Sequence, residues 1–150
     1  MTPLTVYLAG EIHSDWRTQV RQACADLPIV FTGPITDHGS SDGCGARILG
    51  HEPDPFWHDH KAAKINAIRT RTMLGQADIV VVRFGEQYKQ WNAAFDAGQA
   101  VAIGKPLVTL HPATHQHALK EIDAAALATC ESPEQVAGVL RYASAGTLPK

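Results

Sequence analysis

Cysteine is scarce in this chain: 3 in 150 residues, Cys24, Cys44 and Cys130, with no CxxC pair. An odd count without paired spacing argues against a disulfide framework or a structural zinc site and points to a reducing compartment. An excess of either charge is also missing. The 13 basic residues face 15 acidic ones, for a net charge of −2. That leaves no electrostatic case for a nucleic-acid polymer or an anionic membrane surface. No apolar run approaches the ~20 residues that a bilayer span requires. Met1–Tyr7 lacks the basic region and the long apolar region of a signal peptide, so the expected location is the cytoplasm. No P-loop and no GxGxxG follows the first apolar segment, which disfavours a Walker-type ATPase and a common dinucleotide dehydrogenase. Internal repeats and low-complexity stretches are absent as well.

What remains has a globular composition, 45% hydrophobic and 19% charged, with a length suited to one domain. Short apolar runs alternate with helical patterns. Thr5–Ala9 reads as a strand ending at Gly10. Ser14 is placed to cap a helix carrying Trp16, Val20, Cys24 and Leu27 on its apolar face. Ile29–Phe31 reads as a second strand, followed by a Gly-, Pro-, Asp- and Ser-rich segment over Thr32–Pro55 that reads as a long irregular loop, functional or disordered. A helix is predicted over Phe56–Leu74, stopped by Gly75, then a strand over Ile79–Phe84 and a helix from about Asn92 to Gly104. Leu107–Leu110 reads as a fourth strand, His115–Ala126 as partly helical, and Ala128–Cys130 as a short fifth strand. Ser132-Pro133-Glu134-Gln135 has the residues of a helix start, for a helix running to about Tyr142. The domain is read as 1–143, with a frayed tail over 144–150. Strands alternating with helices predict an α/β fold: a doubly wound, mostly parallel sheet of about five strands with helices on both faces.

Ligands of such sheets bind beyond the carboxyl ends of the strands. Here those ends carry Gly10-Glu11-Ile12-His13, the Thr32–Pro55 segment, Gly85–Trp91 and His111–His115. Asp96 is the first candidate. Helical spacing puts it on one face with Asn92 and Gln99, beside a face of Ala93, Ala97, Ala100 and Val101 small enough to lie against a sheet. In a first helical turn the macrodipole favours the ionised carboxylate, which suits a nucleophile or a ligand-binding anion; a surface Asp complementing the dipole is the plainer alternative. Lys61, Lys64, Arg69 and Arg71 form a basic helix face around Asn66, and Arg17 comes from the first helix. A solvated face is the ordinary explanation of such a cluster; a phosphate or carboxylate contact is the other. Tyr88 and Trp91 precede the Asp96 helix, as base-stacking, interface or loop-packing aromatics. Histidine is abundant, 8 residues with pairs at His58/His60 and His115/His117. Two positions apart on a helix they face different ways, and no third ligand is set by spacing, so no metal site is assigned.

The chain resembles the YtoQ family of the nucleoside 2-deoxyribosyltransferase-like superfamily. The resemblance is carried by Val6-Tyr7-Leu8-Ala9-Gly10-Glu11-Ile12-His13-Ser14-Asp15-Trp16-Arg17, by Asp59 through Thr72, and by Asp78 through Gly104-Lys105-Pro106. It implies a flavodoxin-like fold and a retaining double displacement, in which a carboxylate in an acid-x-Gly-x-Ala helix attacks the anomeric carbon of a nucleoside or nucleotide. Carried over by position, Asp96 takes the place of the nucleophilic glutamate and Tyr7 that of the tyrosine that orients it. An aspartate that the resemblance leads one to expect eight residues before Asp78 is Thr70 here, and another expected six residues before the nucleophile is Gln90. Glu11 is the candidate for the missing acid. The implied pocket lies between Tyr7-Gly10-Glu11, the Asp37–Gly45 segment, the Lys64–Arg71 helix and Asp96. It includes His13, Asp37, Lys64, Asn66 and Arg69, with Asn92 as a sugar-hydroxyl or carboxylate partner and Trp91 or Trp16 as a base-stacking wall. No cofactor is implied, and a homodimer or higher oligomer is. Two other functions stay open at this point: a nucleotide-binding or sensing module that has lost catalysis, and a His-dependent metal hydrolase.

Overall fold

The computed structural model describes residues 2–87 and 89–150. Tyr88, singled out above, lies outside them. The strands are β1 (Leu4–Gly10), β2 (Ile29–Thr32), β3 (Ile79–Arg83), β4 (Leu107–Leu110) and β5 (Ala128–Cys130). The helices are α1 (Trp16–Ala23), α2 (His38–Leu49), α3 (Pro55–Gln76), α4 (Trp91–Ala102), α5 (Lys120–Ala125) and α6 (Pro133–Ala145). The strands form one five-stranded sheet in the order β2-β1-β3-β4-β5, and every pairing is parallel. This is the doubly wound, flavodoxin-like arrangement, with its switch point between β1 and β3.

Burial on both faces explains why the central strands are continuous apolar runs rather than alternating ones. Val6 and Leu8 of β1 and Val81 of β3 face a core that includes Trp16, Val20, Val136 and Leu140 of α1 and α6. Tyr7, Ala9, Val80 and Val82 face the opposite core, built with Leu74 of α3 and Ala93, Ala97 and Ala100 of α4. The alanines bring α4 close to the sheet. Val101, expected on the same face, is 40% exposed, because the helix turns it past the contact line.

The Thr32–Pro55 segment departs from the expected loop: its middle is α2. Asp37 caps this helix by accepting a hydrogen bond from the Ser40 N–H at 2.8 Å. Its glycines give weak helix propensity, but one of them is a packing device. A Cβ at Gly45 would lie 2.6 Å from the Ala62 backbone nitrogen, so only glycine lets α2 and α3 approach this closely. Other element ends differ from the sequence reading as well, among them that of α1, which stops at Ala23, short of Cys24 and Leu27. The α1 cap is Asp15 rather than Ser14, which turns back to hydrogen-bond Glu11 instead. Gly75 lies inside α3, which ends at Gln76. The last helix runs to Ala145 and is closed by Gly146, a few residues beyond its expected end. Among the described residues, no helix is long and apolar enough to cross a membrane.

Candidate functional site

A cleft of about 510 Å³ opens between α3, α4 and the segment joining β2 to α2. One wall is the α3 stripe Asp59, Ala62, Ala63, Asn66 and Thr70, with Ala67 and Arg69 beside it. The facing wall is Asn92, Phe95, Asp96 and Gln99 of α4. Pro34, Ile35, Ser41 and Asp42 close the third side. The helical spacing that grouped Asn92, Asp96 and Gln99 in the sequence therefore corresponds to one surface of a real cavity.

Asp96 lies in the second turn of α4, because the helix begins at Trp91, and there is no acid in the first turn. The dipole argument therefore loses its force, since that effect fades within the first turn. Burial dominates instead and pushes the Asp96 carboxyl up to about 6. The direction is opposite to the one expected from the sequence: the protein disfavours the anion. Tyr7 is completely buried on β1. Burial first, then the negative charge of Asp96, raises the pKa of its phenol, while Thr70, Arg69 and Arg17 act in the other direction. The phenol is close enough to Asp96 to feel its charge, but its hydrogen-bonding neighbour is the Thr70 hydroxyl, too loosely placed for an ordinary hydrogen bond, and not Asp96. Arg69 spends Nη1 on the Gly33 carbonyl at 2.7 Å, which pins the end of β2 to α3. Asn66 donates to the Ser41 carbonyl at 3.1 Å and so ties α3 to α2 across the cleft.

Asn66, Arg69, Asn92 and Asp96 thus converge on one cavity, with Tyr7 behind its wall. The other predicted residues are elsewhere, for identifiable reasons. Glu11 does not line this cleft. Its carboxylate accepts hydrogen bonds from the Ser14 hydroxyl, the His13 N–H at 2.7 Å and the Ser14 N–H at 3.1 Å, and it pairs with Arg83 Nη1 at 2.7 Å. Burial alone would raise its pKa, but these partners outweigh burial and hold it below the ordinary value. Glu11 is therefore the knot joining the end of β1 to the end of β3. Gly10 is part of the same seam: at φ +104, a Cβ there would lie 2.1 Å from the Arg83 carbonyl oxygen. Arg17 is buried and donates to the carbonyls of Leu8, Gly10 and Glu11, at 3.0, 3.1 and 2.6 Å. Trp16 is a core side chain whose indole N–H binds the Glu11 carbonyl at 3.0 Å, so it cannot stack on a ligand in the cleft. His13 is exposed and borders a separate hollow of about 230 Å³ with Glu11, Ser14 and Arg83. Asp37 serves as the α2 cap, and Lys64 is exposed outside the cavity wall. Trp91 is 72% exposed and lies under the Lys89 ammonium, which sits 5.0 Å from its ring centre.

The sequence reading does not single out Asp59 or Phe95, and it includes Ser41 and Asp42 only as part of the Asp37–Gly45 segment. Asp59, Ala62 and Ala63 were within reach, since they stand seven, four and three positions before Asn66 on one helix face. Which residues of the Asp37–Gly45 segment face the cleft is not legible from spacing, because its residues advertise a loop and the structure makes it α2. The histidines are dispersed. His60 stacks on Phe56 at 3.8 Å, and His111 is buried between the Asp123 carboxylate and the Pro112 carbonyl, at 2.7 and 2.8 Å. Among the described residues, no three His, Cys, Asp or Glu side chains converge as a ligand set.

Comparison with known proteins agrees with this architecture. Residues 7–144 match the family described as nucleoside 2-deoxyribosyltransferase YtoQ. The protein YtoQ of Bacillus subtilis (strain 168), itself described as uncharacterized, is 45% identical over 139 residues, covering 91% of this chain and 94% of that one. A solved structure of a 2-deoxyribosyltransferase from Bacillus psychrosaccharolyticus superposes with a TM-score of 0.57 at 20% identity, over 89% of this chain and 90% of the other. A conserved protein from Enterococcus faecalis V583 gives the same TM-score of 0.57 at 17% identity, over 90% and 95% of the two chains. At such identities the two structures bear on the fold alone.

Proposed function

Because the chain belongs to the nucleoside 2-deoxyribosyltransferase YtoQ family, we propose that it breaks the N-glycosidic bond of a nucleoside, with Asp96 as the attacking carboxylate. The observation that carries this reading is the half-buried carboxyl of Asp96 on the wall of a cleft large enough for a nucleoside, within electrostatic reach of a buried phenol. In the first step an Asp96 oxygen bonds to the anomeric carbon. The carbon–nitrogen bond breaks, and the base leaves with the bonding pair and takes a proton from solvent. The resulting sugar ester is then opened by water, or by a second base in an exchange reaction. Tyr7 steadies the carboxylate through its field, and Asn92, four residues before Asp96 on the same face, serves a sugar hydroxyl. A desolvated carboxylate is a stronger nucleophile than a hydrated one, at the expense of ionising later. The rate is therefore expected to rise with pH through about 6 as Asp96 loses its proton.

The charge of the cleft supports a neutral nucleoside over a nucleotide. Asp42, Asp59 and Asp96 line it against the single guanidinium of Arg69, already engaged with Gly33. A phosphate dianion would meet net negative charge there. The same reading expects a homodimer or higher oligomer in the cytoplasm, with the exposed Ile68 and Phe95 among the side chains an interface would cover.

Two observations favour the second reading, a binding module without turnover: the Tyr7 hydroxyl makes no hydrogen bond to Asp96, and Thr70 stands where an acid was expected. One experiment decides between them. The purified protein is incubated with a panel of deoxyribonucleosides, ribonucleosides and their monophosphates, and free base is followed. Base release from nucleosides that disappears in Asp96→Asn supports the enzyme. Binding without release by the unaltered protein supports the module.

A further inference from the structure

Nine-tenths or more of buried polar groups in native proteins have a hydrogen-bond partner. Among the described residues, the buried side-chain atoms that lack a hydrogen bond of ordinary length are Thr32 Oγ1 and Tyr7 Oη, the latter with only the loosely placed Thr70 hydroxyl beside it. Their positions are related. Tyr7 of β1 and Thr32 of β2 are register partners in the parallel sheet. Val6 and Phe31, the preceding pair, face the α1–α6 core, so alternation turns Tyr7 and Thr32 to the side occupied by α3 and α4. That is the side on which the cleft opens. Thr32 is followed by Gly33, held by Arg69, and by Pro34, and both Arg69 and Pro34 line the cleft. Thr70, on the cleft wall, is the hydroxyl whose influence on Tyr7 is felt directly. A valine at position 32 would fill the same volume without burying an unpaired hydroxyl.

We infer that Thr32 is a sugar-contacting residue of this cleft, its hydroxyl reserved, with that of Tyr7, for a hydroxyl group of the bound nucleoside's sugar. The inference rests on the proposed nucleoside reading and adds to it a residue, and a depth of insertion, that the cleft wall alone does not give. The sugar enters between Thr70 and Asp96 and has to pass the cleft wall, which Tyr7 and Thr32 do not themselves line, to meet the two hydroxyls.

The test uses the full chain with a 2′-deoxyribonucleoside as probe, and the variants Thr32→Val and Thr32→Ser. Affinity is read by calorimetry, KM and kcat by base release, and stability by thermal unfolding. Thr32→Val is expected to weaken affinity and raise KM three- to tenfold, to change kcat less, and to leave the melting temperature equal or higher. Thr32→Ser is expected to restore affinity. A lower melting temperature for Thr32→Val with unchanged affinity overturns the inference, because the hydroxyl would then serve a resident water rather than the sugar. The two levels of argument fail separately. If base release depends on Asp96 while Thr32→Val alters neither KM nor affinity, the inference is wrong and the glycosidic reading stands. If no base is released but Thr32→Val still weakens nucleoside binding, the glycosidic reading is wrong and the inference stands. If no nucleoside binds at all, both are overturned.

Discussion

Replacing Asp96 by Asn should make the protein more stable at pH 8 while abolishing its activity. Burial raises the carboxyl from 3.8 in the open chain to about 6 in the fold. The sign follows from linkage. The fold prefers the protonated carboxyl, so its favourable contribution is complete below the unfolded value and is lost as pH rises through the folded one. A shift of roughly two units corresponds to about 3 kcal/mol at 1.36 kcal/mol per unit. Asn has the shape of the protonated acid and carries no charge. Asp96→Asn should therefore match the unaltered protein near pH 3.5 and gain on it between pH 4 and 6. Above pH 7 it should be more stable by up to about 3 kcal/mol. Urea unfolding at a series of pH values measures this directly, because every other titrating group is common to the two proteins. Thermal unfolding gives a second measure, at roughly 2–4 °C per kcal/mol for a domain of this size. Equal stability at pH 8, or a gap that widens towards acid, would refute the claim that Asp96 is desolvated, and with it the account of its reactivity.

Other expectations follow from the same geometry. Gly45→Ala places a Cβ 2.6 Å from the Ala62 backbone nitrogen, with Lys61 equally close, and should cost about 1–3 kcal/mol in urea unfolding while weakening nucleoside binding through the displaced α2 wall. Glu11→Gln should destabilise the fold by about 1–3 kcal/mol at neutral pH. Because the Glu11 pKa is held low, that difference should shrink as pH falls through its folded value, and KM should change little, since Glu11 stands outside the cleft. A large rise in KM with unchanged stability would reinstate Glu11 as a site residue. Asp123→Ala strips a partner from both His111 and Thr109 and should cost about 2 kcal/mol without affecting nucleoside affinity.

The sheet was legible because its strands are short apolar runs between helical patterns, and the core faces of α1 and α4 were legible from spacing. What escaped depended on contacts between distant positions. Helix α2 is made by Gly45 meeting Ala62 and by Asp37 capping Ser40, and its own residues advertise a loop. Glu11 enters the sequence reading as a stand-in for a missing acid; its partner Arg83 lies 72 residues away, and nothing local shows that the carboxylate is already engaged. Trp16 and Arg17 carry ligand-binding chemistry, but the fold directs both to carbonyls at the end of β1. For Asp96 the position was readable and the electrostatics were not, since solvent exclusion is a property of the packed cavity.

Helix α2 packs substantially against α3 alone among the described elements and makes no comparable contact with the sheet. The molecule is therefore partitioned into a chassis, held by both cores, and an appliqué that supplies Ser41 and Asp42 to the cleft. The cleft wall built by Ser41 and Asp42, and any substrate preference it sets, can therefore change at a cost confined to the seam between α2 and α3, while Asp96 on α4 and Tyr7 on β1 keep their places. Chimeras exchanging residues 37–50 alone would transfer that preference, and the recipient's folding cooperativity would be preserved.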